Sequence, residues 1–119
     1  MPPRLAVLSL WADDVPTTAH FYRDVIGLSL LNHHDGRPHF DLKGIILVLL
    51  QGSPQPAQNT TPERFPLFAL AVEDLDSAVI KLQAHGVSLP WGIESDHNAR
   101  WVMFHDPAGN LIELVQFNE

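Results

Sequence analysis

Cysteine is absent from this 119-residue chain. That excludes disulfides, thiolate metal sites and cysteine nucleophiles. Basic residues are scarce, seven Lys and Arg against fourteen Asp and Glu, for a formal net charge of −7. They are scattered rather than gathered in a stripe, which argues against nucleic-acid or anionic-membrane partners. Long apolar runs are missing too: a run such as Ile45 to Leu50, which none exceeds, is far too short to span a bilayer. The opening Met-Pro-Pro-Arg-Leu has no extended apolar stretch of the secretory kind, so a cytoplasmic location is expected. Also lacking are a nucleophile elbow, a glycine-rich phosphate loop, a Ser-His-Asp order and a spaced carboxylate pair. With 45% apolar residues the chain nevertheless has ample material for a packed core.

What is present is a repeat. Leu5 to Leu10 is β-rich, Asp13-Asp14-Val15-Pro16 opens a helical stretch through Ala19, Phe21, Tyr22, Val25 and Ile26, and Gly27-Leu28 ends it. The second half follows the same order, with Phe65 to Val72 β-rich, Glu73-Asp74-Leu75 opening a helix, and Ala78, Val79 and Leu82 preceding Gly86-Val87. Aligning Asp14 with Asp74 gives a period of about sixty residues, the mark of duplicated units. Asp14 and Asp74 are N-cap candidates, Pro16 suits a first helical turn, and Gly27 and Gly86 suit the residue after a helix. Strands are expected at 28–31, 39–42 and 45–50 in the first half, and at 87–89, 99–105 and 111–117 in the second. Each half thus reads β-α-β-β-β, over 1–50 and 65–119, as two modules of one structural domain. Between them, 51–64 holds three prolines, four glutamine or asparagine residues and two threonines, and reads as a linker, with a mobile lid as the alternative.

Three motifs in this frame carry a family resemblance. Asp14-Val15-Pro16 through Ala19-His20-Phe21-Tyr22-Arg23-Asp24-Val25-Ile26-Gly27-Leu28 resembles the first helix of the vicinal oxygen chelate superfamily, which groups glyoxalases, bleomycin-resistance proteins and extradiol dioxygenases. Glu73-Asp74-Leu75-Asp76-Ser77-Ala78 resembles the start of its second helix. Phe104-His105-Asp106-Pro107-Ala108-Gly109-Asn110-Leu111-Ile112-Glu113-Leu114 resembles its terminal hairpin, the most specific of the three. The likeness covers all but the linker. It implies an α+β fold in which two tandem β-α-β-β-β modules form a curved mixed sheet around a cleft, with the helices on the outer face.

In metal-dependent members of that family, a histidine from each module's first strand and a glutamate from the last strand hold a divalent ion, and glyoxalase I adds a second glutamate. Counted from Asp14 and Asp74, the histidine positions fall on Val7 and Leu67, and the extra glutamate at or beside Val48; only Glu113 matches. Valine and leucine offer no donor, so neither metal nor cofactor is expected. The resemblance then points to the metal-free, bleomycin-resistance-like members, and to a non-catalytic binder of a small hydrophobic or aromatic compound that works as a homodimer. Two alternatives stay open. One is a lyase, thiol transferase or dioxygenase with a rearranged metal site drawing on His39, His97 or His105. The other is a structural or regulatory module with a vestigial cleft.

Strand alternation identifies the face such a ligand would meet. If Val7 and Leu67 face it, so do Leu5, Ser9 and Trp11 from the first strand, Phe65, Ala69 and Ala71 from the second module, and Leu111 and Val115 beside Glu113. Likeness to fosfomycin-type relatives adds Ile46, Val48, Trp101 and Met103, with His39 and His97 at the rim. The ligand-binding candidates are therefore Val7, Ser9, Trp11, His39, Ile46, Val48, Leu67, His97, Trp101, Met103 and Glu113. The same residues would make ordinary core if the cleft closed. An open pocket is favoured by the adaptability of Trp and Met and by the cost of burying Glu113 alone. Glu113 is also the candidate for any catalytic role, and pairing with His39, His97 or Arg100 is expected to keep it charged.

Overall fold

The structure, a computed structural model, describes residues 2–34, 36–54 and 66–118. Most of the 51–64 stretch read as a linker lies outside the described residues, as do Phe65 and the side chains of His33 and His34. Among the described residues no helix is long and apolar enough to cross a membrane. The chain divides into two compact units, Met1–Pro56 and Ala57–Glu119, and each runs strand, helix, three strands. This is the α+β arrangement of tandem β-α-β-β-β modules, and each unit carries its own four-stranded mixed sheet.

In the first unit β1 (Val7–Ala12) is followed by a helix, then β2 (Ser29–His34), β3 (Arg37–Asp41) and β4 (Ile46–Gln51), in the sheet order β1-β4-β3-β2. The helix starts where the sequence predicts: the Asp14 carboxylate accepts from the Thr17 N–H at 3.1 Å and from its hydroxyl at 2.8 Å. It is α-helical over Val15–His20, here α1, and winds on as π-helix over Phe21–Ile26. Gly27, at φ 91°, ends it, and the N–H groups of Gly27 and Leu28 both donate to the Tyr22 carbonyl. Val15, Phe21, Tyr22 and Val25 bury against Leu10, Ala12, Phe40, Leu47 and Leu49, the apolar alternation of β1, β3 and β4. Within β2 the pairing jumps from Leu30↔Phe40 to Asn32↔His39, a bulge that leaves Leu31 over and exposed.

In the second unit β5 (Ala69–Ala71) leads to α2 (Leu75–Ala84), then β6 (Glu94–Ser95), β7 (Ala99–His105) and β8 (Leu111–Phe117), in the order β5-β8-β7-β6. Asp74 caps α2 as Asp14 caps α1, accepting from the Ser77 N–H at 3.1 Å and its hydroxyl at 2.7 Å. Leu75, Val79 and Leu82 pack over Val102, Phe104, Ile112 and Leu114. Two polar ties fasten the same helix to the same sheet face: the Gln116 side-chain oxygen accepts from the Leu75 N–H at 2.7 Å, and Arg100 pairs with Asp76 at 2.8 Å.

One strand expected from the sequence does not form. Residues 87–89 are not extended into a ladder, because the N–H of Val87 donates to the Leu82 carbonyl and completes the helix end. The Leu89 carbonyl then accepts from Gly92 across a turn containing Pro90, which has no N–H to offer a sheet. The strand that pairs with β7 comes later, at Glu94–Ser95.

The β7–β8 turn is built on a buried carboxylate. Asp106 Oδ1 accepts from the N–H groups of Ala108 and Asn110 at 3.0 and 2.9 Å, and Oδ2 accepts from the Asn110 side chain at 2.9 Å. Replacing Asp106 by Ala strands those donors in a buried turn. The Asp106→Ala variant is expected to lose about 1–3 kcal/mol, read as a lower urea midpoint with an unchanged slope. A midpoint equal to the parent's would show that the turn does not depend on this side chain.

Candidate functional site

Because each helix covers one face of its sheet, alternation assigns every strand residue to the covered face or to the opposite one. In the first unit the opposite face carries Val7, Ser9 and Trp11 from β1, paired in register with Ile46, Val48 and Leu50 of β4. His39 pairs with Val48, so Ser9, Val48, His39 and Asn32 form one row across the sheet. Val7 and Trp11 are 50% and 52% exposed, whereas Val48 is buried and Ile46 and His39 are half-buried. His39 Nδ1 donates to the Arg37 carbonyl at 2.7 Å, which assigns the proton to that nitrogen. Beside this row lies a recess of about 430 Å³ lined by Trp11, Gly36, Arg37, Leu50 and Gln51.

In the second unit the face away from α2 carries Ala69 and Ala71 of β5, Glu113 and Val115 of β8, and Trp101 and Met103 of β7. Glu113 pairs with both Ala69 and Met103, and Trp101 pairs with Val115 and with Glu94 of β6. Leu67, whose N–H donates to the Leu111 carbonyl, precedes β5 and is 58% exposed. The candidates Leu67, Trp101, Met103 and Glu113 therefore share one side of this sheet. His97 does not join them: it sits in the exposed Asp96–Ala99 turn, where the Asp96 carboxylate accepts from the Asn98 and Ala99 N–H groups.

Glu113 has a pKa above the ordinary carboxylate range, chiefly because burial desolvates it and secondarily because the Glu94 carboxylate repels its charge. Within the second unit the expected pairing with Arg100 or His97 does not form. Arg100 lies on the helix side of the sheet, held by Asp76, because it is one residue out of step with Trp101. Among the described residues nothing hydrogen-bonds or ion-pairs with the Glu113 carboxylate. Strand parity already contained this result for Arg100. Glu94 was missed because its two-residue strand follows Pro90 and Gly92 and carries no alternation of its own. Arg37 was missed although it shares parity with His39.

The donor set does not fit the divalent ion of metal-dependent relatives. Val7, Leu67 and Val48, where the resemblance implies donors, have no atom that can ligate. Among the described residues no three His, Asp or Glu side chains gather to hold a metal.

The state of Glu113 sets a pH dependence. Its raised folded-state pKa means the charged form opposes folding at neutral pH, and this cost disappears as pH falls below the ordinary value of 4.5, where the group is protonated folded or unfolded. Glu113→Gln is therefore expected to melt higher than the parent at pH 7, with the difference closing below about pH 4.5. A lower melting temperature for Glu113→Gln at pH 7 would mean the carboxylate has a stabilising partner.

Comparison with known proteins places these sheets in a wider group. A family profile described as Glyoxalase/Bleomycin resistance protein/Dioxygenase superfamily matches residues 4–114. The antibiotic-binding protein TnmS3 from a Streptomyces species superposes with a TM-score of 0.78 at 25% identity, over 98% of each chain. A glyoxalase/dioxygenase from Nostoc punctiforme superposes with a TM-score of 0.80 at 23% identity, over 98% of this chain and 92% of that one. Lactoylglutathione lyase from Agrobacterium tumefaciens gives 0.74 at 22% identity, over 98% and 95%. Among curated proteins no sequence match of significance was found. The chain belongs to the Glyoxalase/Bleomycin resistance protein/Dioxygenase superfamily.

Proposed function

We propose that this protein binds a small hydrophobic or aromatic compound without a metal, on the sheet faces that the helices leave uncovered. The observation that carries this reading is the chemistry of those faces. Where the family resemblance implies metal donors, this chain presents Val7 and Leu67, both at least half exposed, with the half-exposed Trp11 and the partly exposed Trp101 on the same faces and Met103 buried beside Glu113. Apolar and aromatic side chains held open to solvent are costly unless a ligand or partner covers them. Ser9, His39 and Glu113 are the polar groups available to orient what binds. The likeness to an antibiotic-binding protein supports the same reading. Metal-dependent lyase, thiol-transferase or dioxygenase chemistry is the second reading, because Glu113 is a donor retained where the resemblance implies a metal ligand.

A thermal-shift screen of aromatic compounds, antibiotics and thiol conjugates is expected to find compounds that raise the melting temperature by several degrees, since a ligand selective for the folded state stabilises it by about 2.7 kcal/mol at a hundredfold excess over Kd. Elemental analysis of protein purified without chelator is expected to give well under one transition-metal ion per chain. A stoichiometric ion lost on Glu113→Ala, or a screen with no stabilising compound, would overturn the proposal.

The same exposed apolar groups lead us to propose that the protein works as a homodimer. Sedimentation at micromolar concentration is expected to give twice the chain mass, and a monomer there would remove the idea.

A further inference from the structure

We infer that the recess beside Trp11 selects planar aromatic anions, an aryl carboxylate being the simplest, by stacking the ring on the Trp11 indole and pairing the anionic group with Arg37. This deepens the proposed function and rests on it, because it names the class of aromatic compound that the first unit takes.

The platform is built before any ligand arrives. Trp11 is half exposed, yet its benzo ring lies against Gly52. A Cβ at residue 52 would come within 2.6 Å of Trp11 Cε3 and 3.0 Å of Cζ3. A side chain there would have to push the indole aside, so the glycine leaves the space that Trp11 fills. The Gly52 N–H donates to the Ala12 carbonyl at 3.0 Å, which fastens the backbone that backs the indole to the strand that bears it. Gln51, also lining the recess, is tied by its side-chain amide to the Asp13 carbonyl at 2.7 Å. An aromatic surface held in this way loses little freedom when a ring stacks on it.

Charge supplies the selectivity. Arg23 and Arg100 are engaged by carboxylates, Asp24 at 2.9 Å and Asp76 at 2.8 Å, and Arg4 reaches the Gly44 carbonyl at 3.4 Å. Among the described residues the Arg37 guanidinium makes no hydrogen bond or ion pair, and it lines the recess with Trp11. A guanidinium presents parallel N–H donors that match a carboxylate's two oxygens. The recess, about 430 Å³, has the size of sites that take small organic ligands. A recess lined by both an indole and a guanidinium complements a ring carrying an anionic substituent, and it is poorly suited to an amine, which Arg37 would repel.

The test uses 2-naphthoate and its neutral counterpart 2-naphthamide, titrated calorimetrically into the full chain at low and high salt. The parent is expected to bind naphthoate about tenfold more tightly than naphthamide, the factor that one charge-assisted pair supplies, and the preference is expected to shrink with salt. Arg37→Gln, at an exposed position, is expected to fold as the parent does and to bind both probes equally. Gly52→Ala is expected to weaken both together by displacing the indole, as is Trp11→Leu by removing it. If the parent binds both probes equally and Arg37→Gln changes nothing, the anion inference falls while aromatic binding stands. If binding of both probes survives Trp11→Leu and Gly52→Ala, the location falls as well. If the parent binds neither probe while the broader screen finds other stabilising compounds, only this inference is lost; if the screen is empty too, both are.

Discussion

Each sheet in this protein has one helix to cover it, and that constraint governs nearly everything else. One face of β1, β3 and β4 is sealed by the helix that begins at Val15, and one face of β7 and β8 by α2. Pleating then leaves no choice for the neighbours in sequence, which must point the other way. Leu10 and Ala12 are buried, so Ser9 and Trp11 are presented. Val102 and Phe104 are core, so Trp101 and Met103 share the side of Glu113. The uncovered faces are therefore set by the same alternation, and they carry Val7, Trp11, Trp101 and Met103 beside the polar Ser9, His39 and Glu113.

The helices hold their positions through short-range chemistry that is nearly identical in the two units. An aspartate caps each start, and both carboxylates lie below the ordinary range, Asp14 chiefly through the Thr17 N–H and Asp74 chiefly through the Ser77 hydroxyl. A glycine at positive φ closes each end. The units differ in how the helix is tied to its sheet. The first relies on aromatic packing, with Phe21, Tyr22 and Phe40 in contact at ring distances of 5.4 and 6.2 Å. The second adds the Gln116 and Arg100 ties, which turn two long polar side chains away from the uncovered face.

Much of this was legible in the sequence, because the signals were local and repeated. Asp14 with Pro16 and Gly27, and Asp74 with Gly86, marked both helices. Alternation in 7–12, 99–105 and 111–117 distinguishes the two sides of those strands from the sequence alone. The failures share a physical cause. Residues 87–89 look like a strand in isolation, and only the hydrogen bond from Val87 back to Leu82 shows that the helix end claims them first. Glu94 became relevant only through its neighbour across the ladder, a relation that spacing along the chain does not carry. Gly52 looked like linker because its meaning is steric and lies in Trp11, forty-one positions away in sequence (52 − 11).

The bulge in β2 gives the first sheet one place with slack. Elsewhere, losing a single residue from a strand would turn every later side chain over and send core residues to solvent. At Leu31 the extra residue has already been absorbed: Leu30 faces Phe40 on the covered side and Asn32 faces His39 on the other, as they would in an unbroken ladder. Removing position 31 would shorten the strand and keep both faces in phase. A lineage carrying this fold can therefore change its length at that point without rewriting the surrounding sequence, whereas a length change in β4 or β8 requires the whole strand to be recomposed.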